Sequence, residues 1–197
     1  GDKFTLDTIT FDGREYTVDQ VVEIGLARIY ESQTGFGGFS YYSHLQPSFH
    51  LTIHVLNALI DLKEAGYAIN QDVLKRAGDY IVQQINTINI QRLAFTKEND
   101  ILTAYTLSRL EDHVAGYRAM SDTLKARMQT LARDEQFINE QISNGALAQL
   151  AVLLATAEYP KKLKNDIFDV LENRVEIDAR GVFLPVKNGR WMRSYYE

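Results

Sequence analysis

A repeated pair of helical segments constrains this chain more than any other feature. Leu51-Thr52-Ile53-His54-Val55-Leu56-Asn57-Ala58-Leu59 lines up with Leu102-Thr103-Ala104-Tyr105-Thr106-Leu107-Ser108-Arg109-Leu110. After each comes a turn, then a second segment that opens Asp72-Val73-Leu74-Lys75 in one case and Asp122-Thr123-Leu124-Lys125 in the other. A weaker third copy runs through Gly145-Ala146-Leu147-Ala148-Gln149-Leu150 and then Leu163-Lys164. A unit of two helices repeated every ~45–50 residues is the pattern of stacked helical pairs. The first helix of each pair is short-chained and apolar on most sides, and the second carries more charge. That asymmetry predicts buried inner helices and outer helices facing water.

Apolar spacings of three and four residues predict helices over about 18–32, 49–65, 71–86, 99–111, 121–134, 139–157 and 161–174. Thr17 offers an N-cap to the first, while Gly35 and Gly66 end two of them. The three prolines, Pro47, Pro160 and Pro185, all fall where a helical pattern starts or stops. Phe4, Leu6, Ile9 and Phe11 sit near alternation, which predicts a short strand or extended lead and no other sheet. The fold class is therefore all-α. Two layers of alternating helices either close into a barrel or stack openly, and the glycine-aromatic loops favour the barrel. A chain crossing from an outer to an inner helix turns sharply, and glycine permits the angles required. The whole of 1–197 reads as a single, incomplete domain with both ends cut.

Composition removes several function classes. The chain has no cysteine, which excludes a disulfide scaffold, a thiolate zinc site and a cysteine nucleophile within it. Net charge is −5 with no basic stripe, so nucleic acid is not an expected partner. The most apolar stretch, Ala146 to Ala157, is too short to span a bilayer.

Several motifs in order then resemble one family. Gln33-Thr34-Gly35-Phe36-Gly37-Gly38-Phe39 precedes the first repeat, Glu64-Ala65-Gly66-Tyr67-Ala68-Ile69 follows it, and Asp100-Ile101-Leu102-Thr103-Ala104-Tyr105 and Asn188-Gly189-Arg190-Trp191 come later. This resembles the thioester-containing domain of bacterial alpha-2-macroglobulins, from about Val18 to the end. The resemblance implies an α/α-toroid, a fold shared with complement thioester domains, terpenoid cyclases and prenyltransferase β-subunits. It implies a protease-trapping module and not an enzyme. Its partners would be proteases or other target proteins, bound through a full-length periplasmic or extracellular parent, and other domains of that parent. No cofactor is implied. The family's Cys-x-Glu-Gln thioester motif is missing here, so it lies upstream or the protein is a thioester-lacking member. The alternative is a toroid-fold enzyme, a cyclase, transferase or polysaccharide-active protein, with its site completed outside this chain.

Three of the four histidines cluster: His44, His50 and His54. His50 and His54 are four apart and share a helix face, a geometry zinc can use with His44 or Asp61 as a third ligand. The stronger reading places His54 in the slot of Tyr105, as a buried and hydrogen-bonded aromatic of the inner helix. In complement-type relatives a histidine just after the glycine-aromatic turn takes the acyl group from the thioester, which resembles the setting of His50 and His44. Neutral imidazole suits that transfer because it is nucleophilic near neutral pH. The run Gly35-x-Gly37-Gly38 lacks the lysine and the preceding strand of a phosphate loop and reads as a rim turn. The acidic pairs Asp166 and Asp169, and Glu111 and Asp112, read as solvated.

Overall fold

A computed structural model describes residues 8–42, 45–87, 97–117, 121–156, 158–178 and 181–185. They are mostly helical, in two compact units, Gly1–Ile81 and Val82–Glu197, with the boundary inside a helix.

The first unit opens with an antiparallel hairpin, β1 (Thr8–Phe11) and β2 (Arg14–Thr17), where the sequence predicts a short strand or an extended lead. The reason is the turn pair Asp12-Gly13. Both residues have positive φ, 49° and 71°, as a tight two-residue hairpin requires. Helix α1 (Val18–Glu31) starts on a capping box: Gln20 N–H donates to Thr17 Oγ1, and Thr17 N–H donates back to Gln20 Oε1. Helix α2 (Phe49–Glu64) starts on Ser48 and ends in a Schellman turn. There Gly66, at φ 98°, donates to the Lys63 carbonyl and Tyr67 to that of Leu62. Within this unit, helix α3 (Gln71–Thr87) buries Val73, Leu74, Ala77, Tyr80 and Ile81 on one stripe. Leu26, Phe39, Ile53, Leu56, Leu59 and Ile60 make up much of the rest of this unit's core.

In the second unit, α4 (Lys97–Glu111) packs on α5 (Ser121–Ala132) and on α6 (Asn144–Thr156). Helix α6 packs on α7 (Lys161–Glu172), and α5 touches α7. As the repeat predicts, α4 and α6 are more deeply buried than α7. Helix α6 buries seven residues, among them Leu147, Leu150 and Leu154, whereas α7 buries only Leu163 and Ile167. Leu56, Leu107 and Leu150, the equivalent leucines of the three repeats, are all buried.

Two boundaries differ from expectation. The segment predicted to be helical from 139 breaks into a π-helical turn, Phe137–Gln141, followed by a fresh start at Asn144. Ser143 causes the break, since its hydroxyl accepts from Ala146 N–H and caps α6. A second unpredicted hairpin joins β3 (Glu176–Asp178) to β4 (Gly181–Phe183). Glu111 is also not simply solvated: its Oε2 accepts the backbone N–H of Gly116 (3.1 Å) and Tyr117 (2.6 Å), closing the loop after α4.

Candidate functional site

The glycine-aromatic segment between α1 and α2 is a built turn. Thr34 N–H and its hydroxyl both donate to the Gly38 carbonyl, each at 2.9 Å, and Gly37 N–H donates to Thr34. Helix α3 then fastens the turn from one side. Gln33 Nε2 donates to the carbonyls of Gly37 (2.8 Å) and Val73 (2.9 Å), and Arg76 Nη2 donates to that of Thr34 (2.7 Å). The Tyr80 hydroxyl reaches the Pro47 carbonyl (3.0 Å), and burial raises the Tyr80 pKa above the ordinary phenol range.

The glycines are there because nothing else fits. Gly37 has φ 91°, and a Cβ on it would stand 2.4 Å from the Arg76 carbonyl oxygen. A Cβ on Gly38 would meet the Tyr80 ring at 2.7 Å and Pro47 Cβ at 2.8 Å. Phe39 is fully enclosed, and its N–H donates to Thr52 Oγ1 (2.8 Å), which itself donates to the Ser48 carbonyl. These amides and carbonyls are consumed inside the turn, which leaves them unavailable as an anion cradle.

What the turn leaves outside is aromatic. Phe36 is 66% exposed, Tyr41 68%, Tyr42 64% and Leu45 49%. A buried, cross-linked frame thus carries large apolar side chains into solvent, the opposite of what folding alone favours.

Next to this segment, α2 begins with His50, half-buried in its first turn. His54 corrects the expectation made for it. It is exposed, not buried, and its Nε2 lies 3.1 Å from Nε2 of His50. The rings meet edge to face, centroids 4.4 Å apart and planes at 73°. The physical reason is the helix register: Ile53, Leu56 and Ile60 take the core face of α2, so His54, Ala58 and Asp61 fall on the open one. Partial loss of water around the ring, and then the charge of His50, hold the His54 pKa below the ordinary imidazole value. A hydrogen bond at this distance requires one Nε2 to carry its hydrogen and the other to be bare. His44 lies outside the described residues, as do Asn188, Gly189, Arg190 and Trp191.

The frame of the turn was only half visible in the sequence. The glycines announced it, but its fasteners, Arg76 and Tyr80, lie some forty residues on and carry no local signal.

No protein-family model matches this chain, and no curated protein matches it. Among solved structures, the native conformation of E. coli alpha-2-macroglobulin, obtained by cryo-EM single-particle reconstruction, is similar at a TM-score of 0.40 and 20% identity. The similarity covers 81% of this chain and 10% of that one, so this chain spans about a tenth of that protein's length.

Proposed function

We propose that this chain is part of the thioester-type α/α-toroid domain of an alpha-2-macroglobulin-like protein, and that it works as a protein-binding module. The observation that carries the reading is the turn between α1 and α2. Its buried frame of Gly37, Gly38 and Phe39 holds Phe36, Tyr41 and Tyr42 out in water. Exposed aromatics on a rigid support suit protein contact, since they offer large contact area at little entropic cost. The ordered motifs from Gln33 to Tyr105 support the family assignment. In this reading the partners are proteases or other target proteins, met through a full-length periplasmic or extracellular parent, together with that parent's other domains. The chain itself performs no catalysis on a small substrate. Should the parent carry a thioester, His50 or His44 would accept the acyl group as a neutral imidazole and pass it to a target hydroxyl.

The test uses the full-length parent. Incubated with an endoprotease and separated by gel filtration, it is expected to retain the protease in a form active on a short peptide but screened from a large protein substrate. A parent that is digested while retaining no protease overturns the reading.

A further inference from the structure

We propose that His50 and His54 form a two-histidine chelate for a divalent transition metal on the open face of α2. The observation is the distance between their Nε2 atoms, 3.1 Å. Histidine nitrogens bind such metals at ~2.0–2.1 Å, so two ligands held at a right angle stand about 2.9 Å apart and at the tetrahedral angle about 3.3 Å apart. The observed gap falls between the two. Helical spacing of four residues produces it with both rings on one face. The reading that counted against a metal placed His54 in the core. Its exposure removes that objection and leaves the pair reachable by an ion and its water.

In the apo pair one ring carries its hydrogen on Nε2 and donates it to the other ring. On metal binding that hydrogen moves through solvent to Nδ1, both Nε2 lone pairs turn to the metal, and no net charge leaves the protein. Among the described residues no group of three or more histidines and carboxylates gathers around one point. A site of two imidazoles leaves coordination positions for water or a further ligand. Imidazole ligands select copper, nickel and zinc over magnesium or calcium, with copper tightest. The positive end of α2 near His50 weakens the site by only a few-fold.

The experiment titrates the untagged 197-residue chain with CuCl2, NiCl2, ZnCl2 and MgCl2 by calorimetry, and follows the imidazole proton resonances by NMR. One-to-one binding in the order copper, nickel, zinc is expected, with no heat from magnesium. Nickel should broaden the His50 and His54 signals and spare His113. His50→Asn and His54→Asn should each weaken binding at least about tenfold, because the second arm of the chelate is lost, while His113→Asn should leave it unchanged. His54→Gln supplies a second variant if His54→Asn fails to fold. Affinity that survives His54→Asn or His54→Gln in a folded chain, or broadening that leaves both rings sharp, overturns the proposal. Either result stands apart from protease retention, which tests the turn and not the histidines.

Discussion

Two connections in this molecule do the same job by different means. Both carry the chain from a helix into the first helix of a repeat: 32–48 joins α1 to α2, and 133–143 joins α5 to α6. The first removes side chains. Gly37 and Gly38 let the backbone lie against α3, with the Arg76 carbonyl where a Cβ would be. The second adds one. Arg174, beyond α7, sends Nη1 to the Ile142 carbonyl and Asn144 Oδ1, and Nη2 to the carbonyls of Ile138 and Asn139. A guanidinium fork satisfies the loose carbonyls of the π-helical turn, which that wider helix leaves unpaired. Burial around it lowers the Arg174 pKa, but not enough to discharge a group of such high intrinsic value. Close backbone approach, fastened by Gln33 and Arg76, shapes one crossing, and a four-bond guanidinium fork holds the other.

That contrast can be broken by substitution. The largest effect is expected at Gly37→Ala. The new Cβ meets a backbone oxygen that has no freedom to leave, and the left-handed φ adds strain, so a loss of about 3 kcal/mol or more should appear in urea denaturation. Gly145→Ala is the matched control. It has open space and a helical position, and should instead stabilise by about 0.5–1 kcal/mol. Second comes Arg174→Leu, which strips the fork from three carbonyls and an amide and should cost about 2–3 kcal/mol in the same assay. Arg174→Lys should recover little of this, because a single ammonium cannot span the fork. Third is Thr52→Val, of similar shape but without the hydroxyl. It orphans the buried Phe39 N–H and should cost about 1–3 kcal/mol.

A smaller effect is expected from pH. The folded-state pKa of His54 lies below its unfolded value, so the unfolded chain binds the extra proton first. The stability this site contributes is complete above the unfolded imidazole pKa and is lost as pH falls through the folded one. His54→Gln should flatten that part of a stability-versus-pH curve. The smallest effect belongs to the exposed pair Lys162–Asp166, 2.6 Å apart, where Lys162→Ala should change stability by no more than about 0.5 kcal/mol.

The helices were legible because their apolar stripes repeat at 3.6 residues, and the repeat itself separated buried α6 from water-facing α7. The first hairpin was legible too, in Asp12-Gly13, but a four-residue strand beside a turn is easily read as an unpaired lead. The start of α6 was obscured because Ile138 and Ile142 continue the helical spacing across the break. His54 shows a different failure. Its alignment with Tyr105 stands, yet equal repeat position did not mean equal burial. Tyr105 is itself only half-buried, with Arg109 over its ring. Fasteners such as Arg76, Tyr80 and Arg174 were hidden for one reason: each acts across thirty or more residues, and a long-range hydrogen bond leaves no local pattern.

Under the proposed function, the frame of the α1–α2 turn presents Phe36 and Tyr41 to another protein. The most direct measurement compares the full-length parent with its Phe36→Ser, Tyr41→Ser variant, reading both protease retention and thermal stability. Because both side chains are mostly in water, the melting temperature should hold or rise slightly. Retention should fall more than tenfold, as expected when two aromatic anchors worth about 2 kcal/mol each leave an interface. Unchanged retention by a parent that traps protease would contradict the claim and leave the turn a purely structural corner.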